Sequence, residues 1–420
     1  MTKSRVPIVI FGLLFVAGLV AWIFQLVNGL AVTGMNNGSS WGLYITCFMF
    51  FVGLSAGGLI VASSASVFGV KEYKKVAKPA VLLSTVCIIA AAAFILIDLG
   101  GIQRVFNLII HPNISSPLMW DVIVITCYLV INIIYLMLMK KGDADASEAA
   151  QSEAAQKNQR ALNITSRFAL PVAILVHSVT AWIFGLEIAK AGWYTALMAP
   201  MFVSSALDSG LALLVVVLVI LNKTGAFKTE GKLISSLAGL LVVCIAVDGF
   251  MVFCEVLTMG YPAGGQELIV LNQMLTGATA PLFWIEVLLG VVLPFIVLVF
   301  AKNRENTALV TVASVCVVVG VLCKRAWLLL TSFIDFNVAG APGVTYGRGA
   351  LEGTDIWSLV GSYAPTAIEL IVSVGVVSLA VLLFVILAPK VFGQPAQQAD
   401  DAKSAVEETK AAKLETAEAA

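Results

Sequence analysis

Long uninterrupted apolar runs follow one another along the chain from Pro7 to Lys390. Each run has the length of about 20 residues that a helix needs to cross the hydrocarbon core of a bilayer. The runs are continuously apolar and lack the two-residue period of a barrel strand, which favours helices. The sequence therefore predicts an all-α polytopic membrane protein with ten spans, at about 7–30, 41–69, 79–103, 117–139, 168–190, 194–222, 232–258, 272–301, 306–332 and 359–389.

The positions of lysine and arginine predict how these spans are oriented. Basic residues close to short loops are retained on the cytoplasmic side of the membrane. With the N-terminus inside, ten crossings put 20 of the 25 basic residues on that side, and a miscounted span would destroy this bias. The first apolar run is too long for a secretion signal and is expected to remain as an anchor. We therefore expect a protein of the bacterial inner membrane with both termini in the cytoplasm.

A weak internal repeat predicts how the spans are grouped. Trp41, Phe50, Gly58 and Leu59 recur with the same spacing at Trp193, Phe202, Gly210 and Leu211. The repeat predicts two four-helix bundles flanked by single helices. Polar, low-complexity composition predicts a disordered tail, and the outer loop at 333–356 is a candidate docking surface. The expected units are a first helix at 1–36, a first bundle at 37–192, a second bundle at 193–333, an outer loop and last helix at 334–391, and a cytoplasmic tail at 392–420.

Composition and cysteine spacing narrow the possible functions. Hydrophobic residues make up 60% of the chain and charged residues 12%, so no soluble catalytic domain is expected. The seven cysteines occur singly and form no CxxC pair, so we expect no metal site and no iron–sulfur cluster. A haem held by two histidines is not expected either, because His111 precedes Pro112 in an outer loop whereas His177 lies deeper in a span.

Ionisable side chains inside the apolar runs are the candidate functional residues. Each costs at least a few kcal/mol in hydrocarbon, so such residues usually have a functional or structural reason to be there. Most of them lie between the middle and the outer end of a predicted helix. The first set is Asp98, Asp121, His177 and Glu187, and the second is Asp208, Asp248, Glu255, Glu286, Lys324, Arg325 and Glu369.

The first set has the chemistry of a quinone site. Interconversion of quinone and quinol moves two protons with two electrons, so the head group needs hydrogen-bonding side chains that exchange protons, such as histidine and carboxylate. Asp98 and His177 are the predicted pair, and Trp41 and Tyr44 could line the pocket. The alternatives are a packed histidine, a local Asp98–Arg104 ion pair and an interfacial aromatic belt.

The second set admits two interpretations. Lys324 and Arg325 need counter-charges, and acidic residues on neighbouring helices are within reach. These groups could form a structural ion-pair network or a row that conducts protons. The residues concerned are Asp208, Asp248, Glu255, Glu286, Lys324 and Arg325.

Five stretches in this order resemble the polysulfide-reductase membrane subunits, the NrfD/PsrC family, in its ten-helix branch. They are SWGLYITCFMFFVGLSAGG, DLGGIQRVFNLIIHPNISSPLMWD, LPVAILVHSVTAWIFGLEIAKAGWYTALMAPMFVSSALDSG, KRAWLL and GSYAPTAIELIVSVG. The resemblance implies two four-helix bundles, a quinone pocket (menaquinone in the simplest case) near the outer face of the first bundle, and no haem. It also implies partners on the outer side: a ferredoxin-like iron–sulfur subunit and a catalytic subunit with molybdopterin or several haems.

The resemblance also implies roles for individual residues. Asp98 and His177 would contact the quinone and exchange protons, while Trp41, Tyr44 and Arg104 would shape the pocket. Asp121, from the first set of ionisable residues, is a further predicted quinone-binding residue. One departure is the sequence after Asp98, which reads Leu-Gly-Gly-Ile where the family tends to read Leu-Gly-Arg-Pro, so that the basic residue comes later, at Arg104.

The predicted function is a membrane anchor subunit that exchanges electrons between quinone and an iron–sulfur partner. The alternative is a secondary transporter of an ion or small solute, because parallel repeats and buried charges also occur in transporters. Transporter sites tend to lie at the membrane midplane on broken helices. The outer position of the first set and the scarcity of mid-span Pro and Gly favour the anchor.

Overall fold

A computed structural model describes residues 6–36, 38–146, 153–262, 265–334 and 363–392. In these ranges ten helices are long and apolar enough to cross a membrane, and the secondary structure is entirely helical. The prediction of an all-α multi-pass membrane protein is confirmed. The predicted docking loop, apart from Phe333 and Ile334, and the tail after Phe392 lie outside the described residues.

The helices in chain order are α1 (Val6–Asn28), α2 (Leu43–Val67), α3 (Ala77–Asp98), α4 (Val105–Ile110), α5 (Pro117–Ala146), α6 (Glu153–Gly185), α7 (Met198–Thr224), α8 (Gly231–Gly260), α9 (Gly265–Leu275), α10 (Ala280–Trp284), α11 (Leu293–Val299), α12 (Ala301–Arg304), α13 (Thr307–Ile334) and α14 (Ala367–Phe392). A π-helix, Ile285–Val292, joins α10 to α11.

The observed helices differ from the predicted spans in three respects. Helices α5 and α6 extend into the polar segment that joins them, where Asn158 Nδ2 donates to Leu138 O at 3.1 Å. Helix α6 ends at Gly185, so Glu187 is exposed in the loop that follows rather than buried in a span. The eighth span, Ala280–Val299, is continuous but contains a π-helix, because Pro294 has no N–H and its ring conflicts with the carbonyl of Gly290 one turn earlier. The chain forms the π-helix immediately before this proline.

The spans form two four-helix bundles. Helices α2, α3, α5 and α6 make the first bundle, and α7, α8, α13 and the segment from α10 to α11 make the second. Helix α2 packs along α7 and also contacts α13, which joins the bundles. The flanking helices α1 and α14 pack on each other, and α14 also lies along α3. Both flanking helices therefore stand beside the first bundle.

The helices cross at glycines where their backbones touch. A Cβ atom on Gly57 of α2 would overlap the backbone of Gly210 of α7, so the two helices can approach this closely only with glycine at both positions. Gly58 meets the carbonyl of Ala80 on α3 in the same way. Further crossings of this kind join Gly18 to Gly375, between α1 and α14, and Gly290 to Gly320, between the π-helix and α13.

The residues of the internal repeat meet at the interface between the bundles. The rings of Trp41 and Trp193, which occupy equivalent positions in the repeat, stack with centroids 6.0 Å apart and an interplanar angle of 21°. Gly210 packs on Gly57, the neighbour of its repeat partner Gly58. Helices α2 and α7 are thus equivalent elements that pack against each other.

We predict that Gly57→Val destabilises the protein whereas Gly12→Val does not. A valine at position 57 must displace the α7 backbone, and overpacking of this kind costs about 1–3 kcal/mol. Gly12 has no heavy atom within 4 Å of its Cβ position, so the same substitution there is the matched control. The measurement is the midpoint of thermal unfolding in detergent, and equal midpoints for the two variants would contradict the close α2–α7 crossing.

Candidate functional site

A polar cluster lies where α1, α2, α3 and α14 meet, at the end of the first bundle that the distribution of basic residues predicts to be the outer one. Tyr44 OH donates to Gln25 Oε1 at 2.6 Å, and Gln25 Nε2 donates to the carbonyl of Ile97 at 3.3 Å. Asp98 is the last residue of α3, which terminates as Gly100 enters the left-handed region with φ 65°. Asp98 is close enough to Tyr44 and Glu369 for their charges to interact. We call Gln25, Tyr44 and Asp98 the outer polar cluster.

Asp98 keeps one buried carboxylate oxygen free in this cluster. Its Oδ1 is inaccessible to solvent and makes no hydrogen bond within the described part of the chain. Buried polar atoms without a partner are uncommon and call for an explanation, such as a ligand or water. Arg104 does not provide a counter-charge, because its side chain is exposed on the short turn after α3 and the two residues form no ion pair within the described structure.

Glu369, in contrast, has both carboxylate oxygens occupied. Its Oε2 accepts hydrogen bonds from the backbone N–H groups of Gly34 and Thr366, each at 2.8 Å, and its Oε1 accepts one from Tyr363 OH at 2.6 Å. The hydroxyl oxygen of Tyr363 in turn accepts a bond from the N–H of Leu43 at 2.7 Å. Burial, and then the bond to Glu369, raise the pKa of Tyr363. Glu369 therefore ties the start of α14 to the segment before α2.

His177 lies deeper and on a different side of α2 from Asp98. Its ring is buried, and neither ring nitrogen makes a hydrogen bond to the described residues, although the carbonyls of Gly53 and Ala173 approach it. Tyr44, beside Asp98, and Gly53, beside His177, are nine positions apart on α2, which corresponds to about 13 Å of helix. The structure therefore does not bring Asp98 and His177 into contact with each other.

Asp121 and Trp41 belong to other local arrangements. Asp121, on α5, accepts a hydrogen bond from Thr180 Oγ1 on α6 at 2.6 Å. Trp41 stacks on Trp193 and meets the edges of Phe184 and Phe333 at centroid distances of 5.7 and 6.5 Å. Trp41 is thus part of an aromatic cluster between the bundles, whereas Tyr44 belongs to the outer polar cluster.

Lys324 forms a buried ion-pair network in the second bundle. Its Nζ lies 2.8 and 2.9 Å from the two carboxylate oxygens of Asp248 and 3.3 Å from Glu286 Oε1. Ser204 Oγ also donates to Asp248, at 2.9 Å, and Trp327 Nε1 donates to Glu286 Oε2. Glu286 reaches this position from the second residue of the π-helix. The carboxylates thus balance the charge of Lys324 at short range.

The other charged residues of the second bundle are arranged differently. Glu255 accepts a hydrogen bond from Thr195 Oγ1 at 3.1 Å and contacts neither cation. Arg325 Nη2 donates to Ser205 Oγ at 2.6 Å, but its Nε and Nη1 make no hydrogen bond to the described residues. Asp208 Oδ1 is likewise buried without a partner.

Sequence reasoning missed Gln25 and Tyr363 and did not connect Glu369 with Asp98. Gln25 could have been noticed as a polar side chain within the apolar run of α1. The proximity of Glu369 to Asp98 depends on the packing of α14 beside α3, which no local pattern indicates. Among the described residues, no group of three His, Cys, Asp or Glu side chains is arranged to hold a metal ion.

The fold and these clusters define a multi-pass helical membrane protein that buries ionisable side chains inside two bundles. Residues 31–337 match the sequence model of the NrfD, polysulphide reductase family, and the chain belongs to this family. This confirms the resemblance seen in the sequence motifs.

Named relatives are similar over most of their length. The putative dimethyl sulfoxide reductase membrane subunit of Halobacterium salinarum is 37% identical, over 91% of this chain and 90% of its own. The Hdr-like menaquinol oxidoreductase integral membrane subunit of Archaeoglobus fulgidus is 27% identical, over 87% and 88%. A subunit of the selenate reductase of Mesobacillus selenatarsenatis is 25% identical, over 88% and 89%.

We predict that Lys324→Met destabilises the protein by about 3–5 kcal/mol, because it leaves two buried carboxylates without their cation. Adding Asp248→Asn to this variant should restore part of the loss. The matched control is Lys75→Met, which removes an exposed ion pair. Lys75 Nζ lies 2.6 Å from Glu230 Oε1, and this hydrogen bond lowers the pKa of Glu230. Thermal unfolding of the three variants is the measurement, and a Lys324→Met midpoint equal to that of Lys75→Met would contradict the network.

Proposed function

We propose that this chain is the membrane subunit of a respiratory oxidoreductase complex and that it exchanges electrons and protons with a quinone, menaquinone in the simplest case. Family membership and relatives named as subunits of reductases support the first part. The observation that carries the second part is the buried, unpartnered Oδ1 of Asp98 in the outer polar cluster. One relative is itself named as a subunit of a menaquinol oxidoreductase.

The outer polar cluster fits the needs of a quinone head group. A bound quinone supplies the two-electron, two-proton chemistry of the complex. Asp98 Oδ1 can accept a hydrogen bond from a hydroxyl or, when protonated, donate one to a carbonyl. Gln25 is held by Tyr44 and by the carbonyl of Ile97, so the side chains around this oxygen have fixed partners. Asp98 would therefore bind the head group and take up or release a proton at Oδ1.

His177 is proposed to take part in proton exchange from the other side of α2. Its two unpartnered ring nitrogens make it the second buried proton-exchanging group of the first bundle. Because it lies about 13 Å deeper than the outer polar cluster along α2, it would not share one head-group contact with Asp98. This arrangement replaces the simpler idea of an Asp98–His177 pair on one quinone.

The proposed partners are an iron–sulfur subunit and a catalytic subunit with molybdopterin or several haems, both on the outer side. The relatives named as reductase subunits support the existence of catalytic partners. Large apolar side chains are exposed near the outer helix ends, including Ile188 at 75%, Tyr194 at 59% and Tyr261 at 86%, and could contact such a partner. We further propose that the protein lies in the bacterial inner membrane with both termini in the cytoplasm.

We predict that Asp98→Asn lowers quinol-linked turnover of the intact complex by roughly ten- to a thousandfold, because the amide cannot exchange the proton that the carboxylate carries. His177→Ala should lower turnover by a smaller factor, since His177 lies away from the head group. Both variants should assemble, and both should keep normal activity with an artificial electron donor that bypasses the quinone.

The control for this experiment is Glu286→Gln, which alters a buried carboxylate of the second bundle and should leave quinol turnover largely intact. Wild-type quinol kinetics in Asp98→Asn would contradict the assignment of the quinone to the outer polar cluster. Loss of activity with the artificial donor as well would indicate failed assembly, which is checked by identifying the proteins present in the purified complex.

We also predict that the purified chain, separated from its partners, binds no haem and no iron. The reason is the shortage of ligands, since the chain has only two histidines and seven unpaired single cysteines. Absorption spectra should contain no Soret band, and metal analysis should find no stoichiometric iron. One equivalent of b-type haem would show that His177 is an axial ligand instead.

A further inference from the structure

Arg325 is a buried cation that has no ion pair within the described residues, in contrast to its neighbour Lys324. The side chain is completely buried between the bundles, and its guanidinium lies 4.0 Å from the centre of the Phe202 ring. Only Nη2 has a hydrogen-bond acceptor, Ser205 Oγ. Its Nε and Nη1 make no bond in the part of the chain that the structure describes. A buried donor on a charged group costs free energy of folding when it has no hydrogen-bond acceptor, so Nε and Nη1 need partners.

Two further buried ionisable groups lie near this guanidinium. Asp208 on α7 and His177 on α6 both interact electrostatically with Arg325, and His177 also lies beside Gly53, the residue next to Arg325 Nη2. Asp208 Oδ1 and both ring nitrogens of His177 are inaccessible to solvent and make no well-aligned hydrogen bond to described residues, although the carbonyls of Gly53 and Ala173 approach the His177 ring. Polar groups that interact over more than about 3.5 Å without touching are commonly bridged by water.

Gly53 on α2 provides space beside Arg325. A Cβ atom at this position would lie 3.6 Å from Arg325 Nη2 and 3.8 Å from Ser209 Oγ, which are ordinary contact distances. Gly57, one turn further along the same helix, has no such space because the α7 backbone fills it. The missing side chain of Gly53 thus leaves room next to a group of polar atoms that lack partners.

We propose that this place is a buried water-binding site between the two bundles, lined by His177, Arg325 and Asp208 beside Gly53. A buried water is stable where it has two to four polar partners, and these three side chains offer donors and acceptors to it. The carboxylate of Asp208 disfavours an anion as the occupant. Asp208 also interacts electrostatically with Asp248 and Lys324.

The water site would link the histidine of the first bundle to the ion-pair network of the second. His177 would then exchange protons with water although its side chain is only 2% exposed. The site does not depend on quinone binding, so it would stand if the proposed redox function were wrong.

Magnetic resonance can test the site directly, because the chain has only two histidines. The full chain, isotope-labelled on histidine nitrogen, is reconstituted in lipid bilayers, and magnetisation transfer from water to the imidazole nitrogens is recorded. The exposed His111 is the internal positive control. We expect a water signal at His177 as well as at His111. A signal at His111 alone would overturn the proposal.

Two variants locate the water. Gly53→Ala fits without overlap, and it should weaken the water signal of His177 while that of His111 stays unchanged; Gly12→Ala should change neither. Asp208→Asn should shift the His177 nitrogen resonances, whereas Glu255→Gln, which removes a carboxylate bonded to Thr195, should not. A full water signal in Gly53→Ala would place the water elsewhere and overturn the assignment. The midpoint of thermal unfolding in detergent verifies that each variant is folded.

Discussion

The contact between the α2 and α7 backbones at Gly57 and Gly210 is the constraint on which the rest of the structure depends. It joins the two bundles and sets the depth at which their side chains meet. Because of this crossing, Arg325 and Ser209 lie beside Gly53, and Trp41 stacks on Trp193 nearer the outer surface. In lipid, helices associate mainly through close packing and hydrogen bonds, so a contact of this kind is a major source of bundle stability.

The buried charges divide into those with complete local partners and those without. Lys324 is paired with the carboxylates of Asp248 and Glu286, and Glu369 has both carboxylate oxygens hydrogen-bonded by the protein, which suits a structural role. Asp98 keeps one oxygen free at the outer end of the first bundle. An unpartnered carboxylate is costly unless something else binds it, so the arrangement points to Asp98 rather than Glu369 as the group that meets a ligand.

The sequence was a good guide to the number of spans because apolar length alone determines which segments cross a bilayer. It was a poorer guide to helix ends, since the polar extensions of α5 and α6 carry no apolar signal. The π-helix that positions Glu286 depends on how the chain accommodates Pro294, and no periodic pattern in the sequence predicts it.

The candidate site could likewise be predicted only in part. Asp98, Tyr44 and His177 were recognisable as polar residues in apolar surroundings, but their grouping depends on α1 and α14, which are far apart in sequence and pack together.

The central claim is that the quinone binds at the outer end of α1, α2 and α3, beside Asp98. Its most direct test is photoaffinity labelling of the intact complex with an azido-quinone, followed by peptide mapping of the labelled residues. The account predicts labelling that is competed by quinol and confined to peptides around Gln25, Tyr44 and Asp98. Competed labelling in the second bundle, or in the apolar groove of about 600 Å³ that Ile174, Ala199 and Val243 help to line, would contradict it.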